Sequence, residues 1–147
     1  MPGSPGRRLL RSALLAATTA AVLTVETTGP VAAWTTGYGH VRAADGELRP
    51  GCHHYGYRYL VKPRTSDWTL ETWLYDPRGH PKGAGDFQGG GDPVEGRGSF
   101  GLCRVGSRYG RYTIRARLRW YDDPLLPGQS ATRHTVWLKP ARFRLHR

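Results

Sequence analysis

The residues with the clearest capacity for chemistry are arginines at alternating positions of two stretches of the chain. If both stretches are β-strands, side chains two residues apart share a face and lie about 7 Å from one another. Where two such strands are neighbours, their guanidinium groups form a basic patch that can bind phosphates or carboxylates through paired hydrogen bonds. The alternative is a solvated basic face that discourages edge-to-edge aggregation. The candidate anion-binding residues are Arg111, Arg115, Arg117, Arg119, Arg142 and Arg144.

No group of residues has the spacing of a catalytic or metal site. Ser99 comes nearest to the Gly-x-Ser-x-Gly turn of serine hydrolases, but it departs from that motif and lies at the start of a predicted strand. His53 and His54 are adjacent, so on a strand they point to opposite faces and cannot share one metal ion. We therefore predict no catalytic activity, no metal and no cofactor, and a small hydrolase is the least favoured alternative.

Cys52 and Cys103 are the only cysteines of the chain. In an exported chain a single pair is by default a disulfide. It would close a loop of about 50 residues and stabilise the fold by roughly 4 kcal/mol on the chain-entropy model. Neither cysteine belongs to a Cys-x-x-Cys motif, which disfavours a metal or redox pair. We predict a Cys52–Cys103 disulfide.

The N-terminal residues have the order of a secretory signal peptide. A basic segment without acids precedes an apolar run of 13 residues, 13–25. That run is shorter than the roughly 20 residues that span a bilayer. The small residues Val31 and Ala33 suit cleavage after Ala33. We predict a signal peptide over residues 1–33, export from the cell and no membrane span in the mature chain; the alternative is an uncleaved N-terminal anchor.

The mature chain that this cleavage predicts is strongly basic. Residues 34–147 contain 19 Arg and Lys against 10 Asp and Glu. Such a charge favours anionic partners, among them nucleic acids, acidic polysaccharides and anionic cell walls, although no specific nucleic-acid motif is present. The preference for Arg over Lys is also typical of GC-rich genomes, so the charge alone does not require a partner.

Period-two alternation of apolar and polar residues dominates the mature chain and indicates strands. The alternation is strictest over 110–121, where apolar side chains share one face and arginines the other. Residues 34–51 are expected to be irregular, with at most one short edge strand near Val41. A short hairpin at Gly106–Gly110 is expected to lead into the strand over 110–121. The predicted strands span residues 57–62, 68–76, 99–105, 110–121, 133–139 and 142–146.

The segment Gly79–Gly98 is expected to be a loop. It contains eight Gly and two Pro, and glycine loses more backbone entropy on ordering than any other residue. Long loops inside compact domains are uncommon and often functional. This segment therefore offers an alternative binding element, through which the chain would contact a protein, for instance as a protease inhibitor.

The number of short strands predicts an all-β fold, an antiparallel sandwich of two sheets with six or seven strands. The run from Gly110 to Ala116 resembles the Gly-x-Tyr-x-Ile/Val-x-Ala run of immunoglobulin-like β-sandwich domains, here those of secreted actinobacterial proteins. Cys52, then Trp68 or Trp73, and then Cys103 follow the Cys, Trp, Cys order of that family. The resemblance implies that Tyr112 pins a crossover between the sheets. Because Cys103 precedes Tyr112 instead of following it, the disulfide is expected to join other strands than in the family.

These observations divide the chain into a signal peptide (1–33), an irregular segment (34–51) and one β-sandwich domain (52–147). We expect a monomeric, secreted, non-enzymatic binding or structural module that contacts anionic surface polymers through its arginines. Trp73 and Tyr75 share a strand face with Glu71 and offer flat rings on which a sugar could stack.

Overall fold

The computed structural model describes residues 34–35, 37–122 and 128–147. The predicted signal peptide lies outside the described residues. All regular structure within these ranges is β, and no helix in them is long and apolar enough to cross a bilayer. The strands are β1 (Trp34–Thr35), β2 (Gly39–Arg42), β3 (Gly46–Glu47), β4 (Cys52–Val61), β5 (Trp68–Tyr75), β6 (Pro81–Gln88), β7 (Glu95–Cys103), β8 (Gly110–Asp122) and β9 (Thr132–His146).

The strands form two sheets, as predicted, but the described residues contain nine strands instead of the expected six or seven. The large sheet has the order β1-β9-β8-β5-β6, with β3 also pairing with β9, and the small sheet has the order β2-β4-β7. Strands β1 and β3 run parallel to β9, and the other pairs are antiparallel. The predicted edge strand near Val41 is β2. The expectation of at most one strand over residues 34–51 was wrong, because β1 and β3 also form there and are too short for their alternation to be recognised.

One hydrophobic core contains side chains from both sheets. Trp68, Tyr112 and Trp120, which the alternation assigns to the interior, are buried. In β5 and β8 every second side chain enters this core, so the remaining side chains point to the outer face of the large sheet. The strict alternation of β8 therefore fixes the direction in which its arginines point.

The two strands predicted over 133–139 and 142–146 form one strand, β9, so their separation was wrong. Ala141 lies opposite Ile114 and Leu138 lies opposite Ala116, which leaves Lys139 and Pro140 together opposite a single residue of β8. This two-against-one arrangement is a β-bulge. The bulge lets the strand continue through Pro140, which cannot donate a hydrogen bond to the ladder.

The loop predicted over Gly79–Gly98 was also wrong, because β6 and the start of β7 occupy most of it. The glycines leave space for aromatic rings. A Cβ atom at Gly96 would lie 2.5 Å from Tyr59 Oη, and one at Gly98 would overlap the Tyr57 ring. Both tyrosines are buried. Burial of these rings offsets the backbone entropy that the glycines lose.

We predict that Gly98→Ala lowers the free energy of unfolding by about 1–3 kcal/mol, because the added methyl group overpacks the space of the Tyr57 ring. Gly101→Ala is the matched control on the same strand, where a Cβ would meet only His54 Cε1, at 3.8 Å. Urea unfolding of both variants checks this, and equal stability of the two would contradict the packing described for Gly98.

A buried hydrogen bond joins the two sheets. Tyr57 Oη on β4 lies 2.8 Å from Thr72 Oγ1 on β5, and Thr72 Oγ1 donates to the Gly85 carbonyl oxygen on β6 at 3.0 Å. Burial raises the pKa of the Tyr57 hydroxyl, although the hydrogen bond to Thr72 opposes the shift. The small sheet is thereby linked through Thr72 to two strands of the large sheet.

The raised pKa of Tyr57 predicts a loss of stability in alkali. The unfolded chain releases this proton near pH 10, before the folded chain does, so the free energy of unfolding falls as the pH rises from about 10 through the raised pKa. Tyr57→Phe should make that fall shallower and cost about 1 kcal/mol at pH 7 through the lost hydrogen bond. Urea unfolding across pH 7–11 measures both effects, and the exposed Tyr121→Phe serves as control.

The chain passes between the sheets at residues 104–109. The hairpin predicted there was wrong, because β7 belongs to the small sheet and β8 to the large one. Tyr112 Oη donates to the Arg108 carbonyl oxygen at 2.8 Å and accepts the Arg108 N–H at 3.3 Å. The Tyr112 side chain therefore fixes the crossover that precedes its own strand.

The Cys52–Cys103 disulfide is confirmed, and it joins β4 to β7 within the small sheet. The two cysteines are directly opposite each other in the antiparallel ladder, with their Cα atoms 3.8 Å apart. Disulfides persist in oxidising compartments, so the bond is consistent with a location outside the reducing cytoplasm.

Candidate anion-binding face

The predicted arginines lie together on the outer face of the large sheet. Strands β8 and β9 are direct neighbours, as a shared patch requires. In their ladder Arg111 lies opposite Arg144, and Thr113 lies opposite Arg142. All six side chains alternate with core residues of their strands, so they share the outer face.

Glu71 divides this row of arginines into two parts. On β5 it lies opposite Arg117, and its Oε2 accepts from Arg117 Nε at 2.8 Å. Its Oε1 lies 3.0 Å from a terminal guanidinium nitrogen of Arg119. One carboxylate thus holds two arginines through separate oxygens, in a half-buried position where such charge-assisted bonds are strong.

Two indole rings hold Arg117 further. Its guanidinium carbon lies 5.2 Å from the ring centre of Trp73 and 5.4 Å from that of Trp137. A cation over an aromatic face is attracted by the ring's quadrupole. Since its charge is engaged by Glu71 and by both rings, Arg117 has a structural role on this face. Trp73, predicted as a sugar-stacking ring, contacts this arginine.

The other four arginines are exposed and belong to no ion pair in the described part of the chain. They line an open depression of about 690 Å³ at the Gly110 end of β8. Thr113, Tyr75 and Pro140 also line it, and the Arg115 guanidinium lies 4.9 Å from the centre of the Tyr75 ring. We call this depression the arginine cleft; its cations are Arg111, Arg115, Arg142 and Arg144.

Two acids lie at the arginine cleft, one of them (Asp76) in its lining, and both are bound to backbone groups. Asp76 is buried, and its Oδ1 accepts the N–H groups of Arg78 and His80, each at 2.9 Å. Burial alone would raise the pKa of Asp76, but these two hydrogen bonds, together with the nearby His80 and Lys82 side chains, hold the pKa below its ordinary value. Asp45 Oδ1 accepts the backbone N–H of Arg144 at 2.6 Å. Both carboxylates accept hydrogen bonds at turns and strand ends, and neither forms an ion pair with a guanidinium group of the cleft.

The structure also brings together a serine and a histidine that are far apart in the sequence and that no sequence motif links. Ser99 Oγ lies 3.4 Å from His54 Nδ1, because neighbouring rungs of the β4–β7 ladder place them diagonally. Both side chains are exposed, and no described carboxylate is bonded to His54. A serine is activated by a base that a third group orients, and among the described residues no such group is bonded to His54. Across the residues that the structure describes, no cluster of His, Cys, Asp or Glu could hold a metal ion.

Comparisons of the chain with protein-family models, with curated proteins and with solved structures found no match. The case for a function therefore depends on the geometry of the arginines.

Glu71→Gln should lower the free energy of unfolding by about 1 kcal/mol, because Arg117 and Arg119 then lie side by side on β8 without the counter-charge of Glu71. The loss should shrink at high salt, which screens the freed charges. Glu47→Gln is the control, since Glu47 is exposed and forms no ion pair with a described residue. Thermal unfolding at two salt concentrations checks this, and equal effects of the two substitutions would contradict the role given to Glu71.

Proposed function

We propose that the chain is a secreted, non-enzymatic binding module whose arginine cleft binds an anionic surface polymer. The observation that carries this proposal is the direct opposition of Arg111 and Arg144 beside Arg142 and Arg115, with no ion pair to a described carboxylate. Like charges directly opposite each other in a ladder destabilise it. A bound anion removes that repulsion and gains hydrogen bonds from several guanidinium groups at once.

The shape of the cleft favours a polymer over a single small ion. Along β8 the side chains of Arg111 and Arg115 are four residues apart, or roughly 13 Å. Repeated acidic groups along one chain can occupy both ends of such a row. The Tyr75 ring in the same depression gives a flat surface on which a sugar ring can stack, which favours an acidic polysaccharide or cell-wall glycopolymer.

Two further parts of the proposal concern fold and location. Two sheets around one core, with a Tyr112 hydroxyl bonded across the turn before β8, support an immunoglobulin-like sandwich. The disulfide and the predicted signal peptide support secretion. An inhibitor acting through a long Gly79–Gly98 loop loses its structural basis, because strands occupy that segment.

The test compares two triple variants of the secreted protein for binding to immobilised heparin and to purified anionic cell walls. Arg111→Ser, Arg115→Ser and Arg142→Ser together should weaken binding about tenfold or more at low salt and flatten its dependence on salt concentration. The control removes the same charge from exposed arginines outside the cleft, by Arg49→Ser, Arg64→Ser and Arg133→Ser. If both triples weaken binding equally, net charge and not the cleft is responsible, and the proposal fails.

A further inference from the structure

The small sheet carries a second row of arginines on its outer face. Arg42 on β2 lies opposite Arg58 on β4, and Arg58 lies opposite Arg97 on β7. The row therefore crosses all three strands of this sheet, and its three side chains are exposed. Their positions in the sequence are far apart, so only the pairing of the strands reveals that they are neighbours.

The surroundings of this row leave it open and positively charged. The three arginines line a shallow depression of about 560 Å³, together with Ala43, Ala44 and two glycines. One of them, Gly56, faces outward beside Arg58, and a Cβ there would meet only the Gly98 carbonyl oxygen, at 3.8 Å. None of the arginines forms an ion pair with a carboxylate of the described chain.

The titratable groups on the same face are few. His40 and Glu95 lie on the next rung in one direction, on either side of Leu60. In the other direction Gly56 and Ser99 form the next outward-facing rung, followed by His54. Glu95 is therefore the acid nearest in register to the row, and a single exposed carboxylate cannot neutralise three guanidinium groups.

The three arginines are close enough for their charges to repel one another and to bind one anion together. Neighbouring strands lie about 4.8 Å apart, which is well inside the Debye length of about 8 Å at physiological salt. Each charge in the row therefore repels the next, and the central Arg58 is repelled from both sides. One phosphate, sulfate or carboxylate group placed over the row can accept hydrogen bonds from two guanidinium groups at once.

The two arginine surfaces lie on the outer faces of different sheets, because the inward side chains of both sheets belong to one hydrophobic core. We propose that the row formed by Arg42, Arg58 and Arg97 is a second anion-binding surface, and that one molecule bridges two chains of an acidic polysaccharide. The polysaccharide class rests on the function proposed above. The existence of the second surface rests on the small sheet alone.

The test is the number of short anionic chains that one protein molecule binds. A heparin hexasaccharide is too short to reach around the domain, so native mass spectrometry should find two bound to the wild-type protein. Arg42→Ser, Arg58→Ser and Arg97→Ser together should leave one, and the triple variant of the cleft should also leave one. The combination of both triples should leave none, while the control Arg49→Ser, Arg64→Ser and Arg133→Ser should retain two.

Bridging has its own readout. Long-chain heparin mixed with wild-type protein should form light-scattering aggregates that dissolve at high salt, whereas either triple variant should bind the polymer without aggregation. If a triple variant does not fold, Arg58→Ser alone replaces it for the small sheet. Because this change removes the doubly repelled charge, it should raise the unfolding midpoint, and the gain should shrink as salt is added.

The outcomes separate the two proposals. One hexasaccharide on the wild-type protein, lost only in the cleft triple, overturns the second surface and leaves the proposed function standing. One hexasaccharide lost only in the small-sheet triple overturns the proposed function. No binding in any variant overturns both. Equal or tighter binding of a single-stranded oligonucleotide of matched charge, with the same stoichiometry, would overturn the assignment to polysaccharide.

Discussion

Contact between large aromatic rings and glycine backbone is the constraint on which the rest of this structure depends. The Tyr57 and Tyr59 rings lie over Gly98 and Gly96 of the neighbouring strand, where any side chain would exclude them. The Phe100 ring stacks on the Tyr57 ring with their centres 4.7 Å apart, and the centre of the Phe87 ring of the large sheet lies 4.1 Å from that of Tyr59. This packing, with the hydrogen bond from Tyr57 to Thr72, holds the small sheet against the large one and so fixes which faces remain outside.

The outer faces show how few acids are needed to divide a basic surface into parts with different roles. Glu71 and two indole rings engage Arg117, and the same carboxylate engages Arg119. Asp76 and Asp45 are bonded to backbone N–H groups and form no ion pair with the arginines of the cleft. Composition alone counts all these arginines equally, whereas the geometry separates cations that stabilise the sheet from cations available to a ligand.

The features that the sequence predicts correctly are those that a local sequence pattern determines. The alternation in β8 gives its strand, its buried face and the direction of its arginines, and the isolated cysteine pair gives the disulfide. The sequence did not predict strands in the glycine-rich β6 and at the start of β7. The glycines there leave space for aromatic rings whose residues lie elsewhere in the sequence, so no local pattern shows their role. Pro140 interrupts the alternation of β9, so the sequence predicted two strands, whereas a β-bulge lets the strand continue. The row of Arg42, Arg58 and Arg97 depends wholly on strand register, for which no local signal exists.

The disulfide changes the topology of the unfolded chain and therefore affects its refolding. By joining Cys52 to Cys103 it makes a covalent ring that contains β4, β5, β6 and β7, and hence strands of both sheets. Even when unfolded, an oxidised chain keeps these four strands within reach of one another, which reduces the entropy lost when they pair again. Outside the ring, β8 and β9 are consecutive and antiparallel, so they find each other over a short stretch of chain. The connectivity of the chain therefore favours refolding to the native structure after transient unfolding.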